Sequence, residues 1–407
     1  MNKISQCEVC GSKELLPVLN LGNHPMCDDL VPINSDVVCK EFPIEIHYCK
    51  KCYTAHQLYQ VPKVELFPSN YHYRSRFTKD VLKGMEDLVE SCEENFGNIS
   101  GKLVLDVGCN DGSLLNFFKL KKAKTIGIEP TDAYKESNAN GHFTLGEYFS
   151  VESAQKIVDK FGSPDFITFT NVFAHIEDLN EVINALKILS SDKTSIVIEN
   201  HYLGAVIDKF QFDTFYHEHP RTYSYNSFKF IAKSLESKIQ SVYFPPRYGG
   251  NIRVIISNMS LDKKFNDVEI LKKESSFFKK LILMNDNILK WKIKTKNEIL
   301  KLNKLHGKLS AKAFPGRAAI LVKLLELDES IIDKVYEKPG SLKIGHYLPG
   351  TRIPICSDND LLNNQNNYPD IIINLAWHIE NEIKEYLESN NFKGNMYSIL
   401  NPEDFKI

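Results

Sequence analysis

The sequence lacks the features of a secreted or membrane protein. Residues 1–7 contain no apolar core of a signal peptide, and no apolar run reaches the ~18 residues that a membrane helix needs. The nine cysteines are an odd number and include two Cys-x-x-Cys pairs, which favours a reduced compartment and a metal site over a disulfide framework. We therefore expect a cytoplasmic protein that does not bind membranes.

A strong net charge is also absent. Lysine and arginine number 50 against 52 aspartates and glutamates, for a formal net charge of -2, which argues against a nucleic-acid binder driven by bulk electrostatics. Arginine is scarce, and its planar guanidinium group is suited to phosphate. The only arginines are Arg74, Arg76, Arg221, Arg247, Arg253, Arg317 and Arg352.

The 407 residues are too many for one ordinary core, so two or three domains are expected. Near the N-terminus, two tight turns each carry a pair of thiols, Cys7 with Cys10 and Cys49 with Cys52. Together they predict a tetrahedral, four-cysteine zinc site. With no coordination position left open, this zinc would be structural. The alternative is a redox dithiol or unconnected thiols.

Residues 101–200 alternate between strand and helix patterns, which predicts a parallel sheet flanked by helices. The strands are expected at 102–107, 124–128, 142–145, 165–170 and 194–199, and the helices near 112–120, 132–138, 151–161 and 178–189. Between the first strand and the first helix lies a glycine turn, Gly108-Cys-Asn-Asp-Gly112. This arrangement presents backbone N–H groups to a nucleotide-like ligand.

Acidic residues at this turn indicate which ligand it binds. Asp106 precedes the turn and Asp111 lies within it, and negative charge there would be unfavourable beside a dinucleotide pyrophosphate. S-adenosylmethionine (SAM) carries a sulfonium and an ammonium group, so the acids favour SAM over NAD. Glu129 ends the second strand, where a carboxylate can accept hydrogen bonds from ribose hydroxyls. The predicted cofactor-binding residues are Asp106, Gly108, Asn110, Gly112, Ser113, Glu129 and Asn171.

Ionisable side chains are densest in Gln211–His219. His217 and His219 share a face of a strand and could bind a metal or pack in the core. A third ligand is not evident nearby, which favours catalysis, with His217 as the structural member. For Glu199 and Asn200, site and scaffold roles both stay open. The same holds for Tyr71–Phe77, which is either a surface turn or a binding segment.

The C-terminal part begins with a lysine-rich stretch, 262–306, whose spacing predicts a long helix or helix pair. The last hundred residues restart an α/β pattern, with strands at Ile331–Tyr336 and Ile371–Leu375, while Ala318–Val322 fits strand or helix. We therefore expect a second, Rossmann-like domain. Its turn at Phe314-Pro-Gly-Arg317 is too poor in glycine to bind a dinucleotide by itself.

Several motifs together resemble those of sugar C-methyltransferases, which make branched deoxysugars. The match follows that family's order along nearly the whole chain: zinc domain, SAM domain, C-terminal Rossmann-like domain. The motifs are the two Cys-x-x-Cys pairs, Leu105-Asp-Val-Gly-Cys-Asn-Asp-Gly-Ser113, Asn171-Val-Phe-Ala-His175, Phe212-Asp-Thr-Phe-Tyr-His-Glu-His219, Gly249-Gly-Asn-Ile-Arg253 and Leu348-Pro-Gly-Thr-Arg-Ile-Pro354.

The resemblance implies a nucleotide-linked, commonly dTDP-linked, keto-deoxyhexose that is methylated on the carbon next to the ketone. By its position in the motif, His219 resembles the general base of that family. Its active-site companions would be Tyr216, Glu218, His175 and a tyrosine of the pair Tyr71 and Tyr73. The chain departs from the family's pattern at Pro220-Arg-Thr222, at Asn251 and at Ala313-Phe-Pro-Gly316.

The chemistry agrees with these residue types. A sugar C–H becomes acidic only beside a ketone. Histidine, with a pKa of about 6.5, is suited to remove this proton at neutral pH. Arg247 and Arg253 are expected to contact the sugar-nucleotide pyrophosphate. Two alternatives stay open: an O- or N-methyltransferase of a small metabolite, and a zinc-containing RNA-modifying protein.

The expected architecture is α/β, with a Rossmann-like SAM domain between a small zinc domain and a C-terminal Rossmann-like domain. The predicted parts are a zinc domain at 1–65, a SAM-binding domain with the catalytic segment at 66–261, a helical linker at 262–306 and a C-terminal domain at 307–407. We expect a monomer or weak dimer that acts on a nucleotide sugar and binds no nucleic acid.

Overall fold

The computed structural model describes residues 1–67, 74–77, 79–259, 265–362 and 368–405. The chain forms two compact units, each made of discontinuous segments. The first contains Met1–Leu16, His47–Asp208 and Glu218–Phe278, and the second contains Pro17–Ile46, Lys209–His217 and Lys279–Ile407. In the described part of the chain, no helix combines the length and apolar character needed to cross a membrane.

The strands are, in chain order, β1 (Asn2–Lys3), β2 (Leu16–Pro25), β3 (Val31–Pro32), β4 (Glu41–Cys49), β5 (Thr54–Gln57), β6 (Tyr59–Gln60), β7 (Leu103–Val107), β8 (Lys124–Ile128), β9 (Phe143–Leu145), β10 (Phe166–Thr170), β11 (Ser195–His201), β12 (Arg221–Thr222), β13 (Lys238–Tyr243), β14 (Asn251–Ser257), β15 (Leu309–Lys312), β16 (Ile332–Glu337), β17 (His346–Tyr347), β18 (Ile355–Ser357), β19 (Ile371–Asn374) and β20 (Asn395–Ser398).

The helices are α1 (Lys63–Leu66), α2 (Lys79–Phe96), α3 (Ser113–Leu120), α4 (Ala133–Ala139), α5 (Val151–Phe161), α6 (Leu179–Leu189), α7 (Leu203–Asp208), α8 (Tyr225–Ser234), α9 (Val268–Glu274), α10 (Phe277–His306), α11 (Ala318–Leu324), α12 (Asp358–Leu362) and α13 (Glu380–Ser389). Short 3-10 helices include Phe173–His175 and Phe212–Thr214.

The first unit is built on a seven-stranded sheet in the order β13-β14-β11-β10-β7-β8-β9. The five strands from β7 to β11 are parallel, and β13 and β14 add an antiparallel edge. All five strands and four helices predicted between residues 101 and 200 are confirmed. They form because each strand is a short, mostly aliphatic run and each helix has an apolar face that covers the sheet.

The second unit contains a five-stranded parallel sheet in the order β18-β16-β15-β19-β20. The predicted second parallel domain is therefore confirmed. The ambiguous run Ala318–Val322 is helical and fully buried. A short run buried on all sides has no apolar periodicity to separate helix from strand. The lysine-rich stretch contains two helices, α9 and α10. A helix pair was one of the two forms predicted for it.

Residues Pro17–Ile46 belong to the second unit, although they lie inside the stretch predicted as the zinc domain. Their partners come from the distant C-terminal part: β3 pairs with β17, and the guanidinium of Arg352 donates to the carbonyls of Ser35 and Val37. Local residue patterns do not reveal such pairings. The compact units therefore combine segments that are distant in sequence, while the predicted domain boundaries stay a prediction.

Candidate active site and zinc site

The predicted zinc ligands come together in the first unit. The sulfur atoms of Cys7, Cys10, Cys49 and Cys52 all lie within 4.8 Å of one another. The Cys7 and Cys52 sulfurs are 3.4 Å apart, and those of Cys10 and Cys49 3.5 Å. Four thiolates around one zinc ion, at about 2.3 Å each, are separated by roughly 3.8 Å. The donor set and spacing fit a closed, structural zinc site.

The cofactor loop joins β7 to α3 at the carboxyl edge of the parallel strands. Gly108, Asn110 and Gly112 all have positive φ angles, of 69°, 51° and 81°. The Gly108 N–H donates to the carbonyl of Ile128 at 2.7 Å, and the Asn110 N–H donates to Glu129 at 3.0 Å. The loop is therefore held by the end of the neighbouring strand β8.

The glycines of this loop are needed for protein packing as well as for the turn. A Cβ at Gly108 would lie 2.5 Å from a methyl of Val172. A Cβ at Gly112 would lie 2.8 Å from the Ser137 hydroxyl and the His142 ring. At these two positions, neighbouring side chains fill the space that a Cβ would occupy. The close contact at Gly108 brings the segment after β10 directly against the cofactor loop.

The acids around the loop are buried, and each has internal partners. Burial raises the pKa of Asp106 to about 7, because the hydrogen bond from Thr168 offsets this effect only in part. Asp111 accepts hydrogen bonds from the N–H and hydroxyl of Ser113 at 3.2 and 2.6 Å. The predicted cofactor residues are thus organised by one another at the carboxyl edge of the sheet.

Glu129 is also occupied by internal partners. One carboxylate oxygen accepts the Asn110 N–H, and the other accepts the N–H and hydroxyl of Thr131 at 2.9 and 2.5 Å. Each carboxylate oxygen has more than one acceptor site. The predicted bond to a ribose hydroxyl therefore stays a prediction.

Two neighbouring strands carry, at or next to their carboxyl ends, buried polar groups without a hydrogen-bond partner in the described part of the chain. The hydroxyl oxygen of Thr170 and both amide atoms of Asn200 are buried, with no hydrogen-bond partner among the described residues. Thr170 ends β10, and its pairing partner in β11, Glu199, directly precedes Asn200. Buried polar groups are normally paired. Their position at the edge where ligands bind in parallel sheets fits a polar ligand such as SAM.

Three histidines meet next to this edge. The His219 ring lies 4.8 Å from the His175 ring and 5.4 Å from the His201 ring, measured between centroids. His175 ends the 3-10 helix that follows β10, and His201 ends β11. His219 and Glu218 are 5% and 7% exposed. The sequence motifs thus converge in space, although His201 had not been predicted as a site residue.

His175 has a defined protonation state. Its Nδ1 is 2.6 Å from the carbonyl oxygen of Glu218, so Nδ1 carries the hydrogen. Burial lowers the pKa of His175, and the backbone hydrogen bonds of the ring offset this only in part. The ring is therefore neutral near pH 7. The Asn171 N–H, just upstream, donates to the Glu199 carbonyl at 2.7 Å and fixes where this segment begins.

The remaining motif residues have separate environments. His217 belongs to the second unit, where its Nε2 lies 3.0 Å from the Phe42 carbonyl oxygen. Burial lowers the pKa of His217 to about 4. These surroundings agree with the structural role expected of His217, which stays a prediction. Tyr216 belongs to the same unit and is half-buried. Tyr71 and Tyr73 lie outside the described residues.

Arg247 and Arg253 both contact the same carboxylate inside the first unit. Both bind the fully buried carboxylate of Glu199: Arg253 Nε at 2.6 Å, and Arg247 through its NH2 group. The remaining Arg253 donors reach α2, on the Asp87 and Gly84 carbonyls. Both arginines therefore pair with one carboxylate inside the first unit, and their predicted contact with a pyrophosphate stays a prediction.

His201 and Thr170 were not predicted as site residues from the sequence, which left the role of Asn200 open. Each closes a strand, and the ends of adjacent parallel strands meet at one edge of the sheet. That rule was available from the sequence and, applied to β11, would have singled out Asn200 and His201. The contact of His201 with His219 also required the path of the chain after α7.

Three family models match successive parts of the chain. One described as a zinc-binding domain matches residues 7–67, one described as a methyltransferase domain matches 76–237, and one described as a C-methyltransferase C-terminal domain matches 246–399. The C-methyltransferase NovU of Streptomyces niveus is 26% identical over 398 residues, which are 95% of this chain and 94% of that protein.

Solved structures resemble the methyltransferase part. Magnesium protoporphyrin IX methyltransferase from Synechocystis PCC 6803 is 16% identical, with a TM-score of 0.35 and coverage of 49% of this chain and 89% of that chain. A SAM-dependent methyltransferase from Aquifex aeolicus is also 16% identical, with a TM-score of 0.30 and coverage of 43% and 95%.

The family models and the full-length relative agree with the site geometry. A zinc-binding domain, a methyltransferase domain and a C-methyltransferase C-terminal domain follow one another along the chain, and the four predicted zinc ligands form one cluster. The relative that matches over nearly the whole length is itself a C-methyltransferase. The protein therefore belongs to the SAM-dependent C-methyltransferases.

Proposed function

We propose that this protein methylates a carbon next to a ketone in a nucleotide-linked keto-deoxysugar, with His219 as the general base. The substrate class follows from the resemblance of its motifs to sugar C-methyltransferases, and the nucleotide is expected to be dTDP. The observation that supports the mechanism most directly is the position of the His219 ring. It is buried and lies next to the rings of His175 and His201.

The reaction begins with proton transfer from carbon to His219. Removing the proton leaves an enolate, whose negative charge is shared between the carbon and the ketone oxygen. The carbon then attacks the methyl group of SAM, so that a C–C bond forms, the S–CH3 bond breaks and the electron pair stays on sulfur. S-adenosylhomocysteine leaves, and the proton on His219 returns to solvent.

A neutral neighbour helps His219 to accept the proton. Because burial lowers the pKa of His175, the imidazolium formed on His219 does not face a second positive charge. The Nδ1 hydrogen of His175 is committed to the Glu218 carbonyl, which leaves Nε2 as its lone-pair nitrogen. His175 therefore orients the main chain directly before the base.

Stabilising the enolate oxygen requires hydrogen-bond donors. A preorganised donor of this kind is typically worth about 3–4 kcal/mol. Tyr216 is the proposed donor, together with a tyrosine of the pair Tyr71 and Tyr73, and Glu218 is proposed to hold a sugar hydroxyl or to orient a histidine. These assignments follow the motif positions.

SAM would be held by the loop residues at the end of β7. It supplies an activated methyl group, because its sulfur carries a positive charge. Asp106, Asp111 and Glu129 surround the loop with carboxyl groups, which suits a cationic ligand. Thr170 and Asn200, whose buried polar atoms have no partner among the described residues, are proposed to supply further polar contacts. Proximity of the methyl group to the enolate carbon then accounts for much of the rate.

One experiment tests both substrate and mechanism. The purified protein is incubated with methyl-labelled SAM and a panel of dTDP- and GDP-linked keto-deoxysugars, and the methyl group in the product is located by NMR. We expect a new C–CH3 group on the carbon next to the ketone. In deuterated water, the same carbon should exchange its proton. A methyl group on oxygen or nitrogen would contradict the proposal.

A further inference from the structure

A chain of buried polar contacts joins the zinc cluster to the segment that carries His219. The His56 Nε2 lies 3.3 Å from the sulfur of Cys7, and its Nδ1 lies 3.5 Å from a carboxylate oxygen of Glu8. The same oxygen of Glu8 is 2.6 Å from a guanidinium nitrogen of Arg221. Arg221 is fully buried and follows His219 by two residues.

The other nitrogens of Arg221 hold both histidine segments. Its NH2 group donates to the carbonyl of Glu177 at 3.2 Å, two residues beyond His175. Its Nε donates to the hydroxyl of Tyr223 at 3.1 Å. One planar side chain therefore connects the segment after His175, the segment after His219 and the zinc-binding loop. The rigid fork of arginine fixes three directions at once, which a lysine cannot do.

The main chain reinforces this connection. Arg221 lies opposite His56 in the antiparallel pair of β12 and β5, and the Gln57 N–H donates to the Pro220 carbonyl at 2.8 Å. The residue that follows His219 is thus bonded directly to a strand that starts two residues after the zinc ligand Cys52.

Stability alone does not explain a buried Arg–Glu pair. Replacing such a pair by apolar residues of similar volume is often neutral or stabilising, because both charges lose their hydration on burial. What the pair adds is a fixed geometry. Polar groups around the ligands of a metal commonly orient those ligands and their surroundings, and here the orientation extends to two histidines of the candidate active site.

We propose that Arg221 is a positioning residue that, through Glu8, uses the zinc-binding loop to set the spacing of His175 and His219. The inference rests on the proposed role of His219 as the base. It assigns the zinc domain a part in the reaction: the metal holds the Cys7–Cys10 turn, the turn holds Glu8, and Glu8 holds Arg221.

A second contact between the zinc loop and the same unit provides a matched control. The hydroxyl of Ser227 donates to the carbonyl of Cys52 at 3.3 Å and is fully buried. This contact joins the zinc loop to the first turn of α8, where Ser227 also completes a capping box with Ser224. Among the described residues, the hydrogen bonds of Ser227 lead to Thr54, Ser224 and Cys52 and to neither histidine. Ser227→Ala should therefore lower stability without disturbing the active site.

The test compares Glu8→Gln, Arg221→Lys, the double variant Glu8→Gln with Arg221→Met, and Ser227→Ala. Single changes can leave a buried charge unpaired and reduce folding, so the double variant, which removes both charges, is the decisive one. Zinc content, measured by mass spectrometry, and thermal unfolding show which variants are folded and zinc-loaded. A dTDP-linked 4-keto-deoxyhexose serves as the probe for kcat, KM and deuterium exchange at the substrate carbon.

We expect the double variant to retain zinc and to lose about 10- to 100-fold in kcat and in the exchange rate, with KM nearly unchanged, because small displacements of a catalytic group have effects of this size. Arg221→Lys should lose less activity than the double variant but should remain below the wild type. Ser227→Ala should melt earlier but keep its kcat. A folded, zinc-loaded double variant with wild-type exchange would overturn the inference, and so would an equal loss in Ser227→Ala.

Failure of the proposed mechanism has a different signature. If His219→Asn exchanges the substrate proton as fast as the wild type, His219 is not the base, whatever the Arg221 variants do. If His219→Asn is inactive while the double variant is unimpaired, the mechanism stands and the positioning role of Arg221 is wrong.

Discussion

The ring of His175 lies 4.8 Å from the ring of His219, and its Nδ1 donates a hydrogen bond to the carbonyl oxygen of the residue just before His219. One residue thus touches both the ring and the main chain of the proposed base. His175 follows β10 directly, and Val172, in the same short segment, fills the space beside Gly108 of the cofactor loop. The base and the loop are therefore linked through four consecutive residues.

His219→Ala should abolish both methyl transfer and deuterium exchange at the substrate carbon, while SAM binding measured by calorimetry stays intact. The reason is that the alanine cannot accept the proton, whereas the cofactor loop keeps its own hydrogen bonds. We expect a loss of at least about 100-fold, the lower end for a general base. His217→Gln is the control, because His217 bonds the Phe42 carbonyl in the second unit. Surviving exchange in His219→Ala would require another base.

The buried carboxyl of Asp106 should couple SAM binding to proton release. Burial raises its pKa to about 7, so the carboxyl is mostly protonated at pH 6 when no cation is nearby. A sulfonium ion bound beside it favours the ionised form and lowers this pKa. SAM affinity should therefore rise with pH up to about 7 and then level off.

Calorimetry at pH 6, in two buffers with different ionisation enthalpies, measures the protons released on SAM binding. We expect a release approaching one proton for the wild type and none for Asp106→Asn, whose weaker affinity should depend little on pH. Equal proton release by the two proteins would assign the effect to another group.

The same pKa predicts how stability depends on pH. For a carboxyl whose pKa is raised on folding, the folded state binds more protons than the unfolded state between the two pKa values. The contribution of this carboxyl to the free energy of unfolding is therefore greatest below about pH 4 and falls as the pH rises to about 7. A difference of about three pKa units corresponds to roughly 4 kcal/mol. Asp106→Asn should remove this decline, as followed by urea unfolding between pH 5 and 8.

Much of the central domain was predictable because its elements are set by local patterns. Each strand from β7 to β11 is a short buried run, and each following helix has one apolar face, so the positions agree with the sequence to within about two residues. The zinc ligands were predictable for a similar reason, since each pair lies on one turn. Their convergence into a single cluster required only that the two turns meet.

Other features depend on contacts between distant residues. Arg247 and Arg253 were expected on a phosphate because arginine is scarce here, and that contact stays a prediction. In the structure, both pair with the single carboxylate of Glu199. The sequence left the role of Glu199 open and contained no signal that would pair it with them. The assignment of Pro17–Ile46 to the second unit depends in the same way on pairing with residues far along the chain.

Cys7→Ser should lower both zinc content and stability without changing the chemistry of the molecules that fold. Cys7 is buried, at 1% exposure, and its sulfur lies 3.4 Å from that of Cys52, so losing it leaves three thiolates and a weaker tetrahedral site. Zinc per chain is measured by mass spectrometry and stability by thermal unfolding. Cys356→Ser, a cysteine outside the cluster, is the control. Wild-type protein that contains no zinc and is fully stable would contradict the four-cysteine site.

The pairing of Arg247 with Glu199 makes an unusual prediction at Gly84. This glycine lies inside helix α2, where an alanine normally stabilises a helix by about 1 kcal/mol. Here a Cβ would lie 1.8 Å from the central carbon of the Arg247 guanidinium. The guanidinium would have to move, and Glu199, which is fully buried, would lose one of its two cationic partners. Breaking a buried pair in this way costs about 3–5 kcal/mol.

Gly84→Ala should therefore destabilise the wild type by about 2–4 kcal/mol, since Arg253 still holds Glu199. In an Arg247→Met background, where Glu199 has already lost this partner and the methionine can bend away, the same change should be neutral or stabilising by up to about 1 kcal/mol. Chemical denaturation of the four proteins measures both effects. The reversal of sign between the two backgrounds is the decisive outcome, because a clash with atoms other than the Arg247 side chain would destabilise both. If alanine stabilises the wild type, the guanidinium of Arg247 is free to move and does not clamp Glu199.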